Sequence, residues 1–468
     1  MLMLQHHTTT LNIHVLIYYV PVLFLSLLSS FCSNGYNMVV VSEILGDLRS
    51  INILSSAIEE GIFLASINVG IIFMLPLGAY LSDKYGRLRT VIFGESIVVV
   101  ASILQMFCTT SVAITLSRTC VGFGMAICVL LKPLYIAELS NVNHRGKLLT
   151  LFSIAFCTGV LIVSILSSLQ TKNRNPFLLL GIGAIPSFVL ILAAQFYLVE
   201  SPVWLKMAHQ QQQQQRSSSN ITNGDNNNNN DDIDNEEKKG LTTGKMNEDD
   251  DDEYTQGKCS QVFCELFSSD GLGSTTLTAV LVGLLYEFDG VWMLILYRKD
   301  ILERVVSVED VHYFSVLLCA VLLIANIIPM LLIDRAGRRM LLIVGLIGSS
   351  CIKFTFATIV ASAHLKGWPM GVLLLLWVMF SQVGVSVVCN VVISELFGPR
   401  HRSVAMCFVY WVMLTTGFFL SLVYKPVEEV IGHEGWVYIF GVSSIVIGIP
   451  VLMRLPETKG TVIGATMK

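Results

Sequence analysis

The sequence predicts an all-α membrane protein with twelve transmembrane helices in two pseudo-symmetric six-helix bundles. Three observations lead there. Of 468 residues, 53% are hydrophobic and 14% charged, and the charges gather between apolar runs, which excludes an ordinary soluble domain. A bilayer core of about 30 Å takes roughly 20 residues as a helix, and the chain supplies twelve runs of that kind. Short polar motifs also recur at fixed distances. Asp83-Lys-Tyr-Gly86-Arg87 returns as Asp334-Arg-Ala-Gly337-Arg338, 251 positions on, while Glu138, Arg145 and Glu200 return as Glu395, Arg402 and Glu457, each 257 positions on. Repeats in one order mark two related halves.

The expected spans are 15–41, 60–82, 90–109, 112–137, 148–169 and 176–198, then 273–297, 311–333, 340–363, 370–394, 403–424 and 435–454. Residues 1–205 are thus an N-terminal bundle, 206–272 a loop, and 273–468 a C-terminal bundle with a short tail. No basic residue precedes Arg49, so the first run reads as a span and not as a leader peptide. Between Ala208 and Lys258 lie a glutamine run, an asparagine run and an acidic run. Such a stretch cannot form a packed core; it is expected to be disordered, either as a solvated insertion or as a dock for a cytoplasmic partner. Residues 206–258 hold twelve acidic and six basic side chains, so a net charge of −4 becomes +2 elsewhere. The acidity belongs to the loop, not to a substrate site. The eleven cysteines fall mostly in or beside apolar runs and read as small apolar side chains, with no metal or disulfide framework.

One alternating set of short loops carries ten basic residues, including Lys84, Arg87, Arg145, Arg338 and Arg402. The other carries eight, including Arg49, Arg298, Lys299 and Lys425. The richer set lies close to the helix ends and on the side of the long loop, which places that side and both termini in the cytoplasm.

Further motifs join the repeats: Arg118-Thr-Cys-Val-Gly122, Pro133-Leu-Tyr135-Ile-Ala-Glu138, Glu200-Ser-Pro-Val-Trp204, Ser394-Glu395-Leu-Phe and Pro456-Glu457-Thr-Lys-Gly460. In this order and between these spans, they resemble the sugar-porter family of the major facilitator superfamily, over essentially the whole chain apart from the long loop. The resemblance implies two bundles that rock about a central cavity. It also implies that Asp83, Arg87, Glu138, Arg145, Glu200, Asp334, Arg338, Glu395, Arg402 and Glu457 brace the outward-facing state. Arginines and carboxylates at helix ends can pair in a partly dehydrated layer and separate when the halves part. Gly86 and Gly337 allow the connecting loops to turn tightly.

A sugar offers hydroxyls and an apolar ring face, so its site needs amides and an aromatic ring. Here the chain departs from the family. Ser153 stands where the fifth span usually carries Gln, and Tyr286, Glu287 and Trp292 stand for the paired Gln and later Asn of the seventh. Ser386-Val-Val-Cys389-Asn390 replaces the Gly-Pro-x-Pro-Trp of the tenth. The substrate-binding candidates are Asn37, Ser153, Tyr286, Glu287, Trp292, Gln382 and Asn390. Trp292 could stack on the sugar, Glu287 could accept from hydroxyls, and Gln382 and Asn390 offer amides. An ionisable residue within a span is a functional candidate by default; the alternatives for Glu287 are a protonated, hydrogen-bonded carboxyl or a structural pair with Lys132 of the fourth span. Asp289 falls on another face of the helix, and Gly290 permits a bend. Asn37 follows Gly35-Tyr36 where many proton-linked members carry Asp, and an amide does not titrate.

The expectation is facilitative transport of a small sugar, a hexose or a trehalose-like disaccharide, by alternating access in the plasma membrane. The alternatives are a proton- or ion-coupled carrier of another organic solute, and a non-transporting sugar sensor signalling through residues 208–258. The chain has no phosphate loop, nucleophile constellation or metal cluster, so enzyme activity, a cofactor and nucleic-acid binding are not expected.

Overall fold

The computed structural model describes residues 32–139, 142–170, 175–197, 200–201, 204–205, 263–268, 272–307, 309–362, 367–397 and 399–455. The expected first half of span one, the 208–258 loop and Glu457 lie outside the described residues.

The first half contains α1 (32–50), α2 (Ala57–Tyr85), α3 (Arg87–Gln105), α4 (Ser111–Leu139), α5 (Val142–Leu169), and α6 (Pro176–Ile182) continued by α7 (Ala184–Tyr197). Local sequence sets their starts. Ser56 caps α2 by accepting from the Glu59 amide, and Asn175 caps α6, with Pro176 as its first residue, where the missing N–H costs nothing. The second half contains α8 (Leu272–Phe288), α9 (Val291–Leu296), α10 (Arg298–Val305), α11 (Val311–Ala336), α12 (Arg338–Ala361), α13 (Trp368–Phe380), a π-helical segment Ser381–Ser386, α14 (Val387–Glu395) and α15 (Pro399–Arg454).

α15 is two helices meeting at Gly432, whose φ is 73°. Residues twelve apart in a straight helix are separated by about 18 Å. Tyr424 and Trp436 instead stack at 5.2 Å, so the chain folds back there and supplies the last two spans. Among the described residues, nine helical stretches are long and apolar enough to cross a membrane, the longest being this double one. With α1 and α5 they match the twelve expected runs. One boundary differs: α1 continues past residue 41 to residue 50. Hydropathy ends the run early because Glu43, Asp47 and Arg49 are charged, yet Glu43 and Arg49 are offset by partners described below.

The repeat seen in the motifs recurs in the geometry. Gly86 links α2 to α3 and Gly337 links α11 to α12, with φ of 104° and 84°, a region that favours glycine. Within the first half α4 packs against α2 and α3; in the second, α15 packs against α8 and α12. The halves meet along α2 with α15 and along α5 with α11. Phe73, Leu116, Ile347 and Val446 point outward from the helices, forming the apolar surface that lipid covers.

Candidate functional site

At the end bearing the repeated loops, the observed charge pairs stay within one half. Arg87 Nε approaches Glu138 Oε1 at 3.4 Å, Ser201 donates to the other Glu138 oxygen at 2.5 Å, and Glu200 accepts from the Leu88 amide at 3.0 Å. In the second half Arg338 meets Glu395 at 3.0 Å. The side chains of Asp83, Arg145, Asp334 and Arg402, like Glu457, lie outside the described residues.

The opposite end is held together across the two halves. Arg298, fully buried, donates to Glu43, Ser42 and Ser164 of the first half. Lys299 pairs with the second Glu43 oxygen and donates to the Glu43 carbonyl at 3.0 Å. Beside this cluster, Arg49 bridges Glu60 at 2.5 Å and Asp300 at 2.7 Å. Lys425 then ties Asp300 at 3.1 Å to Glu428 at 2.9 Å, and Arg304 meets Glu428 at 2.6 Å. Burial alone would raise the Asp300 carboxyl, but hydrogen bonds and charge from Arg49 and Lys425 outweigh it and hold that group below the usual carboxylate range. A cavity of about 260 Å³ lies against this seal, lined by Ser42, Glu43, Arg49, Lys299, Asp300 and His312 among others. Sequence reading treated Arg49, Arg298, Lys299 and Lys425 only as loop charges; their sole signal was position beside apolar runs.

Between the two ends, the seventh span breaks. α8 stops at Phe288 and α9 starts at Val291, with Gly290 left-handed at φ 81°. A Cβ at Gly290 would lie 2.5 Å from Phe440, so glycine is required twice over. The break is anchored by Asp289, which accepts from Lys353 at 2.6 Å and from Ser349 at 3.3 Å; Lys353 also donates to Ser444 at 2.8 Å. On the neighbouring turns, Trp292 donates to the Tyr286 hydroxyl, and Phe156 of the first half meets the Trp292 ring edge-on at 5.8 Å. Tyr286 and Trp292 therefore form one wall facing the interface between the halves.

The remaining candidates disperse. Asn390 donates to the Ser386 carbonyl at 2.9 Å and accepts from Tyr410 at 3.3 Å. Gln382 is buried in the π-helical segment. Ser153 is exposed on α5. Asn37 donates to the Ser33 and Gly183 carbonyls at 3.0 and 3.4 Å, tying α1 to the sixth span. Arg118, fully buried, donates to the Asn37 carbonyl at 2.8 Å and lies over the Phe63 ring. The alternative pairing of Glu287 with Lys132 is corrected: Lys132 meets Glu95 at 2.5 Å, and both are fully buried. Lys132 faces α3 within the first half, whereas Glu287 lies in the second half against α15, where a Cβ on Gly417 would approach its carboxylate at 3.0 Å.

A sequence model of the family described as "Sugar (and other) transporter" matches residues 20–464. The chain belongs to the sugar transporter family. Among relatives of this transporter, the probable metabolite transport protein CsbC of Bacillus subtilis (strain 168) is 26% identical over 442 residues, covering 91% of this chain and 89% of its own. The facilitated glucose transporter member 2 of solute carrier family 2 from Mus musculus is 25% identical over 412 residues, covering 85% and 74%. The fold matches the partially occluded, inward-open xylose transporter XylE from E. coli with a TM-score of 0.74 at 19% identity, covering 95% of this chain and 100% of that one. The transporter is thus a multi-pass membrane protein of the major facilitator superfamily and not an enzyme.

Proposed function

We propose that this transporter moves a small sugar, a hexose or a trehalose-like disaccharide, down its gradient by alternating access. In this reading the end with the repeated loops faces the cytoplasm, both termini lie on that side, and the membrane is the plasma membrane. Residues 1–205 and 273–468 act as the two moving bodies, and Asp83, Arg145, Asp334, Arg402 and Glu457 join the observed pairs in bracing the cytoplasmic end when it closes. The observation that carries the reading is the one-sided seal: Glu43, Arg298 and Lys299 join the halves at the outer end, while the observed pairs at the other end do not join them. A carrier closed outside and released inside has this charge arrangement.

Facilitated diffusion, as opposed to proton coupling, is supported at position 37. The buried Arg118 guanidinium meets a backbone carbonyl there, and the Asn37 side chain has no proton to exchange at neutral pH. Asn37→Asp puts a titratable carboxylate on the residue whose carbonyl receives that guanidinium, and uptake by this variant becomes accelerated by an inward proton gradient. The test is uptake by reconstituted protein across labelled hexoses, disaccharides and polyols, with and without a proton gradient. Failure to move any sugar defeats the substrate reading; strong acceleration of the wild type by the gradient defeats the uniport reading.

A further inference from the structure

Among the described residues six carboxylates are buried: Glu43, Glu60, Glu95, Glu287, Asp289 and Glu428. Five have a basic partner. Glu43 meets Arg298 and Lys299, Glu60 meets Arg49, Glu95 meets Lys132, Asp289 meets Lys353, and Glu428 meets Lys425. Glu287, 7% exposed, has no basic side chain within ion-pair distance among the described residues. The nearest acid in sequence, Asp289, already uses Lys353, and the lysine of the fourth span is committed to Glu95. A carboxylate taken out of water without a counter-charge is costly, and the other five buried carboxylates among the described residues all have that cost offset.

The surroundings of Glu287 select what can supply the missing charge. No group of three or more His, Cys, Asp or Glu able to hold a metal ion occurs among the described residues. Aromatic groups are close by: Tyr286 is the preceding residue, and its hydroxyl is fixed by Trp292, which Phe156 of the first half buttresses. Aromatic faces attract organic ammonium groups and stack on sugar rings. Gly417 leaves room for the carboxylate, since a Cβ there would approach it at 3.0 Å.

We propose that the cation Glu287 lacks arrives with the cargo: the site selects a sugar or polyol bearing a protonated amine, with its ammonium on Glu287 and its ring against Trp292. The inference rests on the reading of the chain as a sugar carrier and narrows the substrate class. A neutral sugar leaves the carboxylate without a counter-charge; an amino sugar forms a charge-assisted hydrogen bond in the same place.

The test is uptake by reconstituted full-length protein of labelled glucosamine, its uncharged N-acetyl derivative and glucose, for wild type and Glu287→Gln. The wild type is expected to favour glucosamine by about ten- to a hundredfold in apparent affinity, the worth of one hydrogen bond to a charged group. Glu287→Gln removes that preference, so that its apparent affinities for glucosamine and for glucose converge. The wild-type comparison needs no variant and stands if Glu287→Gln fails to fold. Equal or better uptake of the neutral sugars overturns the inference and leaves the sugar reading standing. Glucose uptake driven by a proton gradient and lost in Glu287→Gln overturns it in favour of a proton as the cation. Uptake of none of the three overturns the inference, and the wider panel of disaccharides and polyols then decides the sugar reading.

Discussion

The two ends of this transporter use similar side chains in opposite ways. Where the repeated loops lie, Arg87 reaches Glu138 and Arg338 reaches Glu395, each inside its own half, so these contacts can persist while the halves move. At the other end Arg298 and Lys299 cross to Glu43, and Arg49 crosses to Asp300, so these contacts exist only while that end is closed. Among the described residues, then, the pairs seen at the repeated loops link helices of one half, and the pairs that cross between the halves come from charges outside any repeat.

The strongest way to break the contrast is Glu43→Gln, which strands two buried cations at once. Losing one partner of a buried pair costs about 3–5 kcal/mol, enough to favour opening of that end. Cys319, buried and 3.1 Å from the Ser164 hydroxyl that also receives Arg298, is the built-in reporter. Its alkylation in detergent-solubilised protein rises in Glu43→Gln; an unchanged rate refutes the closure role.

Asp300 gives a smaller effect with a defined pH sense. Asp300→Asn weakens closure by about 1.5–3 kcal/mol, the worth of a hydrogen bond between charged groups. Its carboxyl is held below the usual range, so its contribution is complete above the ordinary value of about 3.9 and is lost as pH falls through the lowered one. The distance between spectroscopic labels at positions 50 and 303 therefore stays constant from about pH 8 to 5 and lengthens only below about pH 4. A change near neutral pH would assign the closure to another group.

The mildest intervention is at the repeated loops. Arg338 and Glu395 are partly exposed, and such a pair is worth about 1 kcal/mol or less, so Arg338→Ala leaves Cys319 alkylation unchanged. Arg145→Ala and Arg402→Ala, by contrast, lower transport with surface expression intact if they brace the cytoplasmic end in the other conformation. Full uptake by both variants would remove them from that role.

Much of the fold was legible in one dimension. Run length identified the spans, and the paired glycines of the two loops, Gly86 and Gly337, proved to share positive φ angles. Gly290 was correctly marked as a bend. The site was less legible. Tyr286 and Trp292 do come together, because they sit on adjacent turns of one broken helix, whereas Asn37 is spent on packing against the sixth span, a contact with no sequence signal. Glu43 was overlooked because a lone acid at the end of an apolar run looks like a boundary.

By itself the sequence determined the membrane class, the twelve runs, the two related halves and the family, because hydrophobic length and motif spacing are properties of the linear chain. Only the tertiary structure decided which charges meet: Lys132 with Glu95, Lys353 with Asp289, and Arg298 with Glu43 from 255 positions away. An ion pair depends on separation in space and on exclusion of water, and neither exists until the helices have packed.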